Sequence, residues 1–255
     1  MERIVLLGTN IAHSRSPEFH NRLFAKHNLP YQYELLPVTP EELPGAIMRM
    51  KRGGYRGANV TSPYKELAVE LVDKSSESVR HIGSVNTILF EEKRAIGFNT
   101  DVDGFAASLQ GLPLLDKPFT AAVLGTGGAA RAAVDVLLRH QTLQRITLYS
   151  QSSEKADHET CRWDDPRLSG EALPDFEPAD LIVHATPVGL PGVPGRLLNP
   201  DDMEGGKLLY EMIYHPPVTE LMKAARTGGL QVMNGEKMFI GQAEKAFEIW
   251  VGSHA

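Results

Sequence analysis

Ala121-Ala122-Val123-Leu124-Gly125-Thr126-Gly127-Gly128-Ala129-Ala130 reads as a buried apolar strand that runs into glycines and then into an Ala-rich helix over 128–140. The glycines fit G-x-G-x-x-A. Gly125 permits the tight turn, Gly127 lets a pyrophosphate approach the backbone, and the small Ala130 lets helix and strand pack closely. The strand before and the helix after distinguish this pattern from a merely structural Gly-rich turn. Gly125, Thr126, Gly127, Gly128 and Ala129 are therefore expected to hold a dinucleotide. Buried strands at 145–149, 180–184 and 207–211, with one more near 230–232, extend the unit into a parallel sheet covered by helices. Pro191 to Pro200 is a Gly/Pro-rich loop, and no internal repeat or low-complexity tract is present.

The chain changes character near residue 103. Before it, strands at about 3–8, 32–37, 55–60 and 85–97 alternate with helices near 17–28, 40–51 and 64–72. Three of the strand-to-helix turns are rich in polar side chains. In His13-Ser14-Arg15-Ser16-Pro17, Ser16 is expected as an N-cap with Pro17 at the first helical position, and two hydroxyls at a helix start suit a carboxylate. In Asn59-Val60-Thr61-Ser62-Pro63-Tyr64-Lys65, the same reading makes Ser62 the cap and puts Lys65 in the opening turn of a helix. A cation there opposes the helix dipole, which disfavours its ammonium form and suits proton exchange near neutral pH. The third turn, Gly97-Phe98-Asn99-Thr100-Asp101, closes a hairpin and opens another helix, where Asp101 serves either as a plain N-cap or as a functional carboxylate. Together they outline one polar pocket at the carboxyl ends of a sheet.

These motifs, with Val85-Asn86-Thr87, stand in the order and spacing of the shikimate dehydrogenase family, which also contains quinate and aminoshikimate dehydrogenases. The resemblance runs from Ile4 to Trp250. It implies an α/β protein of two domains. A substrate-binding domain is formed by 1–102 plus 236–255, a Rossmann NAD(P)-binding domain by 103–235, and the cleft lies between them. It implies an oxidoreductase of aromatic amino-acid (chorismate) biosynthesis that interconverts shikimate and 3-dehydroshikimate by hydride transfer. Lys65 and Asp101 are then the catalytic pair. Ser14 and Ser16 bind the substrate carboxylate, and Asn59, Thr61, Asn86 and Gln242 hold the ring hydroxyls. Thr186, Met212, Tyr214 and Gly235 join the glycine-rich turn in binding the cofactor.

The choice between NADP and NAD turns on the end of the second Rossmann strand, where Asp or Glu accepts from the ribose of NAD and Arg clamps the 2′-phosphate of NADP. The chain offers Ser150-Gln151-Ser152 where NADP-dependent family members have Asn-Arg-Thr. The clamping arginine is missing, and no carboxylate replaces it. Ser150, Ser152 and Lys155 can still hold a phosphate, with Arg131 on the neighbouring helix as a candidate helper and Gln151 as a further cofactor contact, so NADP is favoured and NAD stays open. Three further departures also fall on the cofactor side. His184 stands where Asn is usual, Asn234-Gly235 replaces Asp-Gly, and the stretch from His158 to Asp165 reads as short and irregular.

Composition permits this reading. The 255 residues, 42% hydrophobic, suffice for one large domain or two ordinary ones. No run approaches the roughly 18 apolar residues of a membrane span, and Met1-Glu2-Arg3 leads directly into a strand, so a cytoplasmic protein is expected. A net charge of −6 without a basic run argues against nucleic acid and anionic membrane as partners. The single Cys161 excludes an intramolecular disulfide, and none of the nine histidines shows metal-ligand spacing. A monomer or homodimer acting on a small hydroxy acid is expected. The alternatives are quinate or aminoshikimate oxidation, and a non-catalytic sensor of a small carboxylate. Loss of Lys65 or Asp101 would have marked the sensor, and both are present.

Overall fold

The structure, a computed structural model, describes residues 2–252. His254, counted above among the histidines, lies outside them. Residues up to Gly104, together with those from Gly241 onward, form one unit, and Phe105–Ile240 form the other.

The first unit runs β1 (Glu2–Gly8), α1 (Ser16–Lys26), β2 (Tyr31–Pro37), α2 (Leu43–Lys51), β3 (Tyr55–Val60), α3 (Ala68–Leu71), β4 (Lys74–Ser75), α4 (Glu77–Ile82), β5 (Thr87–Glu91) and β6 (Arg94–Phe98). Its sheet has the order β2-β1-β3-β5-β6-β4. β1 pairs in parallel with β2 and β3, while β3, β5 and β6 pair antiparallel. Ile4 to Leu7 are buried on both faces because alternate residues enter different cores. Val5 and Leu7 join Leu43, Ile47, Val60 and Ile88, whereas Ile4 and Leu6 join Phe24, Tyr33, Phe247 and Trp250.

The last helix completes that second core. Trp250 is fully buried and donates its indole N–H to Ile88 O at 3.0 Å. Its ring fills the place a side chain at residue 57 would take: a Cβ on Gly57 would lie 2.2 Å from Trp250 Nε1. His20 of α1 is sealed in the same core, stacked on Tyr33 with ring centroids 4.6 Å apart and edge-on to Trp250 at 5.0 Å. Neither of its ring nitrogens has a hydrogen-bond partner among the described residues.

The second unit contains β7 (Phe119–Leu124), α6 (Gly128–Leu138), β8 (Leu143–Ser150), α7 (Ser153–Thr160), β9 (Leu168–Ala172), β10 (Leu181–His184), β11 (Leu208–Glu211), α8 (Glu220–Thr227) and β12 (Gln231–Asn234). Helices α5 (Asp101–Leu109) and α9 (Glu236–Val251) each begin in one unit and end in the other. All pairings in the sheet are parallel, in the order β12-β11-β10-β7-β8-β9. The chain winds outward from β7 to β9 and then crosses to β10 on the other side of β7. The switch point of a doubly wound sheet therefore lies between β7 and β10.

Several elements differ from the sequence expectation. Ser16 is the first residue of α1 rather than its cap. The helix expected over 64–72 is only α3, and the chain makes turns from Ser62 to Leu67, with a cis peptide at Ser62-Pro63. Tertiary bonds hold this stretch in place of helical ones: Tyr64 is buried with its hydroxyl donating to Val38 O at 2.9 Å, and Lys65 O accepts from Val85 N at 2.8 Å. The stretch after Lys155 is helical as far as Thr160, where α7 ends, and irregular from there until β9 adds an edge strand.

Candidate active site

Lys65 lies three residues ahead of α3, so the helix-dipole argument does not apply to it. What positions the lysine is a carboxylate. Its Nζ donates to Asp101 Oδ2 at 2.7 Å, with side chains 18% and 8% exposed, respectively. Asp101 is the first residue of α5 rather than a cap, and its backbone N–H is taken by Asn99 Oδ1 at 3.1 Å, in the manner of an Asx turn. That leaves both carboxylate oxygens for side chains. Asn86 Nδ2 donates to Asp101 Oδ1 at 2.9 Å, opposite the lysine.

A buried polar network extends from this pair. Asn86 Oδ1 accepts from Thr100 N at 2.8 Å and from Thr87 Oγ1 at 3.0 Å. Asn59 Nδ2 donates to Asn86 O at 3.1 Å and to Thr87 Oγ1 at 3.0 Å, and Asn59 Oδ1 accepts from the Tyr33 hydroxyl at 2.7 Å. Thr100 Oγ1 lies 3.4 Å from Gln242 Oε1, which ties α9 to the network. The structure thus joins Lys65, Asp101, Asn59, Asn86 and Gln242 at the ends of β3, β5 and β6. Thr61 follows β3 directly, against β1: a Cβ on Gly8 would lie 2.5 Å from Thr61 Cγ2. Ser14 and Ser16 form their own pair, with hydroxyls 3.2 Å apart and Ser16 N donating to Ser14 Oγ at 3.2 Å. Sequence reading missed Tyr33, Thr87 and Thr100 as supports. The two threonines stand inside the quoted motifs, and Tyr33 is an aromatic residue with a polar tip on a strand beside them.

In the second unit, Gly125 ends β7 with φ +115°, and a Cβ there would lie 2.9 Å from Ala185 O, so only glycine fits. Gly127 caps α6, and a Cβ on it would meet nothing within 4 Å. The first turn of any helix leaves its N–H groups without intrahelical partners, and in α6 that turn contains Gly128 and Ala129. Gly235 is fixed by close approach, since a Cβ would lie 2.0 Å from Met212 O. Asn234 Oδ1 accepts from Glu236 N at 3.2 Å and so caps the helix start as aspartate would. Tyr214 stacks on Phe239 at 4.8 Å.

At the end of β8, Ser150 is buried while Gln151, Ser152 and Lys155 are exposed, and Ser152 Oγ accepts from Lys155 N at 3.4 Å to cap α7. Arg131 is not a phosphate helper. It is buried in a two-point ion pair with Glu159, Nε to Oε2 at 2.8 Å and Nη2 to Oε1 at 3.1 Å. Burial by itself raises the Glu159 carboxyl, but hydrogen bonds from Arg162 and Arg131 hold it below the ordinary carboxylate value. Withdrawing Arg131 would leave Glu159 with Arg162 alone. His184 is likewise internal, 1% exposed, with Nδ1 2.8 Å from Glu211 Oε1 and Nε2 2.6 Å from Thr186 Oγ1. Among the described residues, no group of three or more His, Cys, Asp or Glu is placed to hold a metal ion, and no helix is long and apolar enough to cross a membrane.

Residues 6–88 match the family described as "Shikimate dehydrogenase substrate binding domain". A protein of Bacillus licheniformis named shikimate dehydrogenase (NADP(+)) is 35% identical over 254 residues, covering 97% of this chain and 90% of that one. The crystal structure of shikimate 5-dehydrogenase from Thermus thermophilus, in complex with NADP(H) and shikimate, superposes with a TM-score of 0.86 at 34% identity, covering 99% and 94% of the two chains. That of shikimate dehydrogenase from Aquifex aeolicus gives a TM-score of 0.90 at 32% identity, covering 100% and 94%. With the glycine-rich turn at a switch point and the Lys65–Asp101 pair in a network of amides and hydroxyls, the chain belongs to the shikimate dehydrogenase family.

Proposed function

We propose that the protein catalyses the NADP-dependent interconversion of shikimate and 3-dehydroshikimate. The observation that carries this reading is the 2.7 Å Lys65–Asp101 contact, set among the side-chain amides of Asn59 and Asn86. Bound NADP supplies the hydride acceptor, or NADPH the donor. Lys65 Nζ moves the accompanying proton: in the reducing direction the ammonium gives it to the carbonyl oxygen as that becomes a hydroxyl, and in the oxidising direction the amine takes it back. Asp101 Oδ2 fixes the direction in which Nζ points, and Asn86 fixes Asp101. Asn59, Thr61, Asn86 and Gln242 hold the ring hydroxyls, and the paired hydroxyls of Ser14 and Ser16 seat the carboxylate. The N-terminus of α6, where a side chain at Gly127 would meet nothing within 4 Å, and the closely packed Gly125 and Gly235 fit a dinucleotide, with Thr126, Thr186, Met212 and Tyr214 along it. We assign the substrate to the first unit and the cofactor to the second. We also assign the enzyme to the cytoplasm, as a monomer or homodimer without nucleic-acid or membrane partners.

Initial rates with shikimate, quinate and aminoshikimate, each with NADP and NAD, test the assignment. Shikimate with NADP is expected to give the highest kcat/KM, and a higher value for quinate or aminoshikimate overturns the substrate. Replacing Ser14 and Ser16 together with alanine is expected to raise KM for shikimate about tenfold or more while leaving the Kd of NADPH unchanged, because two hydrogen bonds to a charged group are lost. An unchanged KM would place the carboxylate elsewhere.

The exposed Gln151 neither clamps nor repels a 2′-phosphate, and Arg131 is committed to Glu159. Preference for NADP over NAD is therefore expected to stay within about a hundredfold in kcat/KM, or roughly 2 to 3 kcal/mol. Gln151→Arg is expected to raise the ratio through a bidentate phosphate contact, and Ser150→Asp to lower it by repelling the phosphate and accepting from the ribose. Two substitutions that leave the ratio where it was would refute this account of the pocket.

A further inference from the structure

The second unit buries a chain of hydrogen bonds that the reaction described above does not use. Thr219 caps α8, its Oγ1 accepting from Met222 N at 3.2 Å, so its own proton is free to go to Glu211 Oε2 at 2.8 Å. Glu211, fully buried at the end of β11, accepts a second donor on Oε1, the N–H of Ile213 at 3.2 Å. The remaining contact is His184 Nδ1 at 2.8 Å, and an ionised Glu211, which only accepts, takes the proton of Nδ1 there. In the neutral imidazole Nε2 is then an acceptor, and the donor it meets is the Thr186 hydroxyl at 2.6 Å. Thr186 Oγ1 meanwhile accepts from Val188 N at 3.2 Å. With Glu211 ionised and His184 neutral, every donation converges on Glu211, from Thr219 on one side and from the half-buried Thr186 through His184 on the other.

Thr186 lies beside the glycine-rich turn: a Cβ on Gly125 would be 3.1 Å from Thr186 Cγ2. It follows β10, the strand across the switch point from β8. A dinucleotide lying across that point has its adenosine half at β8 and its other half on the β10 side.

We propose that His184 is a positioning residue that makes the Thr186 hydroxyl oxygen a fixed hydrogen-bond acceptor for a donor on the nicotinamide-riboside half of the cofactor, either the carboxamide NH₂ or a ribose hydroxyl. A threonine hydroxyl ordinarily rotates and presents a proton or a lone pair as the ligand demands. Here the proton is turned inward onto Nε2, so the oxygen presents only a lone pair outward. A preset acceptor binds a donor without having to reorient, and it disfavours an acceptor in the same place. The inference rests on the assignment of NADP to this unit.

The experiment measures NADPH binding by nucleotide fluorescence in the wild type, Thr186→Val, Thr186→Ser, His184→Asn and the double variant His184→Asn/Thr186→Val. Asparagine keeps a donor for Glu211 but cannot supply the ring's second nitrogen. Thr186→Val is expected to weaken binding about five- to tenfold, the loss of one hydrogen bond, with Thr186→Ser close to wild type. His184→Asn is expected to weaken binding several-fold when Thr186 is present and not at all in the Thr186→Val background, while KM for shikimate stays unchanged. Penalties that simply add in the double variant, or an unaltered Kd in His184→Asn, overturn the proposal. A 3-acetylpyridine analogue, which lacks the carboxamide NH₂, identifies the donor: the Thr186→Val penalty vanishes with it if the carboxamide is the partner and persists if a ribose hydroxyl is. Independently of any variant's folding, ¹⁵N NMR of the native imidazole is expected to show Nδ1 protonated and Nε2 bare. An Nε2–H tautomer overturns the proposal. Failure of the wild type to bind NADPH would instead sink the cofactor assignment itself.

Discussion

Replacing Lys65 with alanine is expected to lower kcat for shikimate oxidation by about 10² to 10⁴ with KM changed less than about threefold, because in the proposed role the lysine acts on a proton in flight and not on the bound ground state. The geometry gives the reason. Lys65 Nζ reaches Asp101 Oδ2 at 2.7 Å, and Asp101 Oδ1 is already held by Asn86 at 2.9 Å. The carboxylate keeps that amide and its place when the lysine is gone, so the substrate seat survives and the proton carrier does not. Asp101→Asn is expected to lower kcat less, since Nζ loses its anchor and not its identity. Thermal melting of each variant separates loss of chemistry from loss of fold. A Lys65→Ala enzyme with kcat within about threefold of the parent would remove Lys65 from the reaction.

The second large effect is on stability and comes from a residue outside the chemistry. Burial without a hydrogen-bond partner pushes the imidazole of His20 from its ordinary 6.5 down to about 3. Between those values the unfolded chain binds a proton that the native protein does not, so stability rises with pH across this window. The contribution is complete above pH 6.5 and is lost as pH falls towards 3, at up to about 1.4 kcal/mol per unit and about 4 to 5 kcal/mol in all. The carboxyls held low by ion pairs, Asp73, Glu159, Asp165, Asp180 and Glu220, lose their own contributions only below their ordinary values near 4. The upper part of the window therefore lies above the range in which these carboxyls titrate, and the His20 contribution falls within it. Denaturant unfolding at about pH 6.5 and 4.5 is expected to show the native protein losing about 2 to 3 kcal/mol more than His20→Phe. Parallel losses in the two proteins would refute the assignment. The phenylalanine keeps an aromatic ring against Tyr33 and Trp250, and Tyr33 in turn holds Asn59 through its hydroxyl. A shift in KM for shikimate in the same variant would therefore report on that support.

What could be read from the sequence was local. The strand 121–124 and its glycines announced a nucleotide-binding sheet, because an apolar run, a tight turn and a helix start are each encoded within a few residues. The side chains of the candidate site were legible because they sit in polar turn motifs at strand ends, although the partners that hold Asn59, Asn86 and Asp101 in place come from other motifs far along the chain. The helix at 64–72 was misread for the same reason. Ser62-Pro63 is a good local start signal, but the buried Tyr64 and the bond from Val85 N to Lys65 O decide otherwise, and both partners lie far away in sequence. His184 and Arg131 show the same limit at single residues. Nothing near either in the chain reveals Glu211 or Glu159, so whether each faces a cofactor or a buried carboxylate is settled only when parallel strands and helices bring distant side chains together. The sequence by itself determined the two sheets and the residue types at their carboxyl ends, since periodicity and turn chemistry are local. Only the tertiary structure decided which charges are paired, which side chains join one polar network and which histidine is sealed without a partner among the described residues, because burial and hydrogen bonding depend on neighbours that the chain order does not reveal.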